Sequence, residues 1–176
     1  MDFTETPLSG AFIVRVKKIE DHRGYFARAW CQDEFAQHGL NPNMRQLNVG
    51  FSTRKGTVRG MHYQVAPFEE AKLVRCTRGA IFDVVVDLRA GSETIGQWFG
   101  TELSADDSTM LYVPEGCAHG YQTLVDDTEM YYMTTAAYAP KAAMGVRHDD
   151  PALRIQWPQA VSVISEADRN WPDFLA

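Results

Sequence analysis

The sequence predicts a mainly β fold, a jelly-roll barrel with a few short helices. Short runs rich in β-branched and aromatic residues recur along the chain. Gly, Pro and Asp clusters punctuate them at strand-sized spacing. Helix signals are confined to two short stretches. Many short strands with such turns build a sandwich or barrel, and a barrel mouth can hold a ligand.

Each element has its own signal. Phe12 to Val16 is a strand-like run that would leave an apolar edge in need of cover. Asp21-His22-Arg23-Gly24 is a turn into a second run, Tyr25 to Trp30. Gln32 to His38 has room for two helical turns and ends at Gly39. Arg45 to Phe51, Gly56 to Gln64 and Lys72 to Thr77 follow as strands. Arg78-Gly79 turns the chain into Ala80 to Leu88, and Ala90-Gly91-Ser92 precedes Ile95 to Leu103. Met110 to Val113 closes on Pro114-Glu115-Gly116, then Tyr121 to Leu124 and Glu129 to Thr135 flank Asp126-Asp127. Ser165 to Asn170 is read as a short helix, because Ser165-Glu166-Ala167-Asp168 approximates a capping box.

At 176 residues, one domain spanning 1–176 is expected, large enough to bury a real core. The apolar fraction of 45% and charged fraction of 23% are those of a soluble globular protein. The net charge is -6 and no Lys/Arg run stands out, which argues against nucleic acid or an anionic membrane as partner. Local Arg and Lys still leave room for an anionic small molecule. Cys31, Cys76 and Cys117 are odd in number and lack CxxC spacing, so neither a disulfide framework nor a thiolate zinc site is expected. Cys76 and Cys117 read as small core hydrophobes. No basic-then-apolar leader appears, and runs such as Ile81 to Val86 are too short to span a bilayer. A cytoplasmic location is the expectation.

The chemistry is densest at Val58-Arg59-Gly60-Met61-His62-Tyr63-Gln64, with Lys72-Leu73-Val74-Arg75 eight residues on. A second His lies in Pro114-Glu115-Gly116-Cys117-Ala118-His119-Gly120-Tyr121, and Tyr131-Tyr132 comes a strand later. Period-2 alternation puts Gly60, His62 and Gln64 on one face, as it does Lys72, Val74 and Cys76, and His119 with Tyr121. Met130, Tyr132 and Thr134 share another, so only one of Tyr131 and Tyr132 can reach a cavity. His is a base poised near neutral pH, Lys can stabilise an enolate oxygen, and Tyr can return a proton. Such a set suits proton abstraction next to a carbonyl. The bland alternatives are a satisfied core histidine for His62, a solvent-facing strand residue for Lys72 and a β-forming aromatic for Tyr132. Asp168 is either the cap of its own helix or the carboxylate that orients His62. A metal is not expected: Gln64 stands where a second strand His would be needed, and only His62 and His119 could co-ligate. His22, His38 and His148 lie in turn or helix contexts.

These motifs, in order, resemble the dTDP-4-dehydrorhamnose 3,5-epimerase family over nearly the whole chain. The resembling stretches include Asp21-His22-Arg23-Gly24-Tyr25-Phe26, Gln46-Leu47-Asn48, Arg59-Gly60-Met61-His62-Tyr63-Gln64, Ala71-Lys72-Leu73-Val74 and the Phe82 to Arg89 run. Pro114 to Gly120, Tyr138-Ala139-Pro140, Asp150-Pro151 and Trp157-Pro158 complete the set. The resemblance implies a cofactor-free, cupin-type jelly roll, generally a homodimer, acting on a nucleotide sugar that is dTDP-linked in the favoured reading. It implies His62 as base, Asp168 as its partner, Lys72 facing the keto oxygen, and Tyr132 as acid, six residues before Tyr138. It further implies that Arg23, Phe26, Gln46, Asn48, Arg59, His119 and Tyr138 bind the nucleotide sugar. Four positions depart from the family pattern: Arg28 and Ala143 stand in place of Glu, Met133 and Ala167 in place of Lys. Two of these normally help hold the nucleotide end. The alternatives are another nucleotide sugar, epimerisation at a single carbon, and a sugar-binding barrel without turnover.

Overall fold

The computed structural model describes residues 1–174. In chain order these form β1 (Asp2–Glu5), β2 (Phe12–Arg15), β3 (Ile19–Asp21), β4 (Gly24–Phe26), α1 (Gln32–Gln37), β5 (Gln46–Ser52), β6 (Thr57–Gln64) and β7 (Lys72–Arg78). Next come β8 (Ala80–Asp87), β9 (Trp98–Ser104), β10 (Thr109–Val113), β11 (Cys117–Thr123), β12 (Thr128–Thr134), β13 (Ala143–Gly145), β14 (Val163–Ile164) and α2 (Glu166–Arg169). One sheet runs β1-β2-β10-β7-β12-β5 and the other β13-β6-β11-β8-β9, with β14 lying parallel beside β6. The β3–β4 hairpin stands apart from both.

Alternation along the strands builds the layers. Val74, Cys76, Leu111 and Val113 of the first sheet meet Ile81, Val85, Leu103 and Tyr121 of the second in the inner core. The opposite faces are covered too. Leu73, Met110 and Tyr112 pack under Phe35 of α1, while Val84, Val86 and Ala118 pack under Val146, Leu153 and Ile155. The result is the double-sheet jelly roll that the strand spacing predicts.

Several boundaries and one position differ from expectation. Phe12 to Val16 is not an edge: β2 is paired by β1 on one side and β10 on the other. The covering strand, Asp2–Glu5, carries little apolar signal beyond Phe3, which pairs opposite Val14. The Tyr25 to Trp30 run stops at Phe26, and Trp30 packs instead beside the α1 cluster. The strand expected from Ile95 begins at Trp98, because Asp87 gathers Arg89, Ser92 and Thr94 into a turn. The strand expected from Tyr121 begins at Cys117, since Cys117 to Gly120 already pair with Val84 to Asp87.

Candidate active site

A bulge aims the first residues. His119 pairs with His62 but Tyr121 with Arg59, so β6 spends three residues where β11 spends two. The extra residue turns Arg59 onto the cavity face with His62, where unbroken alternation would point it away. Gly60 makes this fit. Its φ is +128°, and a Cβ there would lie 2.5 Å from the Gly120 Cα.

A cavity of about 530 Å³ opens between the sheets beside this bulge. His62, Lys72, His119 and Tyr132 line it, with Asp168 and Tyr138 at its wall. His62 Nε2 lies 2.6 Å from Asp168 Oδ1. The same carboxylate accepts the Gly60 N–H at 3.3 Å and the Trp171 indole N–H at 3.3 Å. Burial pushes the Asp168 carboxyl up, but the His62 hydrogen bond and charge and these N–H donors outweigh it, so its pKa is lowered. Half of the capping box forms: the Asp168 backbone N–H donates to the Ser165 Oγ cap at 3.0 Å, while its carboxylate is spent on His62, Gly60 and Trp171 rather than on the helix end.

Lys72 is buried, and its Nζ donates to the His62 carbonyl oxygen at 3.0 Å and pairs with Glu70 Oε1 at 3.2 Å. A second His–carboxylate pair lies deeper: His119 Nε2 is 2.7 Å from Oδ1 of the fully buried Asp83. Burial pushes the Asp83 carboxyl up, opposed by His119 and then Lys72. Tyr132, not Tyr131, lines the cavity. Its phenol is pushed up chiefly by burial, then by Glu70, against Arg59. Among the described residues no group of three His, Cys, Asp or Glu side chains could hold a metal ion.

The expected binding residues divide. Arg59 donates to the Phe51 carbonyl oxygen and lines the cavity. Gln46 and Asn48 line an adjoining recess with Tyr132 and Tyr138, and Gln46 Oε1 accepts the Tyr138 N–H at 2.6 Å. Arg23 and Phe26 are not brought to this cavity: they sit on the exposed β3–β4 hairpin, Arg23 paired with Asp21. Of the departing positions, Ala143 and Ala167 line the cavity, Met133 packs on the α1 side, and Arg28 pairs with Glu34 at 3.1 Å. Glu70, Asp83 and Trp171 were missed as individual site residues. Asp83 alone carries a sequence signal, a charge inside an apolar strand.

The model of the family described as dTDP-4-dehydrorhamnose 3,5-epimerase matches residues 5–175. The chain belongs to that family. The dTDP-4-dehydrorhamnose 3,5-epimerase of Sinorhizobium fredii is 42% identical over 99% of this chain and 90% of its own length. Among solved structures of the family, the enzyme of that name from Elizabethkingia anophelis superposes with a TM-score of 0.95 at 38% identity, covering 99% of this chain and 96% of its own. A 3′-monoepimerase from Streptomyces bikiniensis, in complex with dTDP-quinovose, gives 0.88 at 34% identity over 96% and 85%. The family's cupin-type jelly roll is the fold of this chain.

Proposed function

We propose that the protein inverts carbons 3 and 5 of a nucleotide-linked 4-keto-6-deoxyhexose, converting a dTDP-4-dehydro-6-deoxyglucose to a dTDP-4-dehydrorhamnose and so serving deoxysugar biosynthesis. The observation that carries this is the placement of base and acid on opposite walls of one cavity. His62 comes from the second sheet and Tyr132 from the first. The 4-keto group acidifies the C–H bonds at both neighbouring carbons. Asp168 fixes one ring nitrogen of His62, leaving the other to take the proton. The electron pair moves into the carbonyl, and Lys72 stabilises the enolate oxygen. Tyr132, kept protonated by burial, delivers a proton to the opposite face of the carbon. Solvent then resets His62 and Tyr132.

Arg59 and Arg23 are the candidate cations for the pyrophosphate, and the Gln46–Asn48 recess beyond Tyr132 holds the sugar-nucleotide end. Arg23 and Phe26 reach a cavity only if a second copy supplies them, so the proposed working form is a homodimer. Incubation with the dTDP-linked 4-keto sugar in deuterated water tests the reaction. Deuterium is expected at carbons 3 and 5, and no uptake at either rejects the assignment. The likeness to a 3′-monoepimerase motivates a second reading, which label at carbon 3 alone would establish.

A further inference from the structure

We propose that Glu70 is a positioning residue of this reaction: its carboxylate holds Lys72 cationic and aimed at the substrate's keto oxygen. The inference rests on the role given to Lys72 above. Lys72 opens β7 with its side chain buried between the sheets. Burial drives such an ammonium toward the neutral amine, which is a poor partner for an enolate oxygen. Something must hold the charge in place.

The other titratable groups lining the cavity with Lys72 come from several elements. Arg59, His62 and Tyr63 come from β6, His119 and Tyr121 from β11, Tyr132 from β12 and Tyr138 from the segment after it; none of these is a carboxylate. Asp168 on α2 is bound to His62. Asp83 on β8 is bound to His119 and is itself pushed toward neutrality by burial. Among the described residues Glu70 is the carboxylate within ion-pairing distance, 3.2 Å from Nζ. Its effect on Lys72 opposes burial and precedes that of Asp83.

The geometry also fixes direction. An ammonium has three donors. One goes to the His62 carbonyl oxygen, and the ion pair with Glu70 holds a second side of the ammonium, which leaves a donor for a ligand. Glu70 is itself held, because its Oε2 accepts from Gln64 Nε2 at 3.2 Å. Gln64 is buried and tied through its amide to the Phe68 and Ala137 carbonyl oxygens and the Ala139 N–H. The Glu70 carboxylate also faces the recess that holds Tyr132, where its charge favours the protonated phenol. One carboxylate thus keeps both the electrophile and the acid in their working forms.

Glu70→Gln tests this, since the amide keeps the size and an oxygen for Gln64 while removing the charge. Lys72 ionisation is read by NMR of ¹³C-lysine-labelled protein, with the resonance assigned through Lys72→Arg. The pH profile of substrate deuterium exchange is measured alongside. Lys72 is expected to titrate about one to three pH units lower in the variant. The alkaline limb of exchange should move down with it, and kcat should fall more than KM. Glu70→Asp, which keeps the charge, should lie nearer the wild type in both readouts. An unchanged Lys72 titration overturns the inference even if the wild type exchanges normally, and so do equal losses in the Gln and Asp variants. A wild type that exchanges no deuterium overturns the epimerase reading instead, while the Lys72 titration still judges Glu70.

Discussion

Asp168 does two things with one residue: its backbone N–H closes a helix cap and its carboxylate holds His62. Because its carboxyl is lowered in the folded protein, it contributes stability above its unfolded pKa, about 3.9. That contribution is lost as pH falls through the lower folded value. The stability gap between wild type and Asp168→Asn in urea should therefore be full at pH 7 and shrink below about pH 4. A gap that is constant down to pH 2 would contradict the assignment. For the chemistry, His62→Ala should cost about 10²–10⁴-fold in turnover. Tyr132→Phe should still wash deuterium into the sugar but fail to complete inversion, which chiral analysis of the product would show. That His62, Lys72, Tyr132 and Asp168 gather at one cavity was legible because their residue types suit the proposed proton transfer, and the family resemblance pointed to Tyr132. Glu70 was not, since Glu69-Glu70 in a loop reads as a solvated charge pair. Its burial is set by Gln64 and Lys72, which the chain brings to it only on folding.

At the level of the strand, the β6 bulge decides what the cavity contains. Gly60→Ala would place a Cβ 2.5 Å from the Gly120 Cα and 2.9 Å from the His119 carbonyl oxygen, in a backbone conformation that L side chains avoid. The β6–β11 pairing would have to part, at a cost on the order of 3 kcal/mol. Denaturant unfolding should show that loss, and Arg59 should no longer share a face with His62; a variant as stable as wild type would refute the argument. The long strands were readable because each keeps a strong apolar period over several residues. The bulge was not, because alternation assumes an unbroken period. β13 and β14, of three and two residues, are too short to show any period, and their pairing with β6 is a tertiary effect.

On the scale of the molecule, the uncovered apolar surface has moved from where the sequence put it. β2 is interior, while β5 ends its sheet with Leu47 and Val49 exposed at 60% and 67%. The β3–β4 hairpin adds Ile19 and Phe26, exposed at 69% and 72%. Apolar side chains clustered at a sheet edge are a liability unless covered. The proposed homodimer would cover them and bring Arg23 and Phe26 to a cavity. Light scattering at micromolar concentration should give a mass near 40 kDa, twice the 19.8 kDa of the chain. A single species at about half that mass would count against the dimer.

The split of the proposed base and acid between two sheets also has an evolutionary consequence. Each wall can drift without dragging the other, because β6 and β12 share no hydrogen-bonded neighbour. With the proposed roles, changes confined to the β12 wall would alter which carbons are inverted and leave proton removal running, whereas loss of His62 from the β6 wall would silence the molecule. New product stereochemistry is therefore most accessible through β12, and β6, with Lys72 at the start of β7, is what selection must keep.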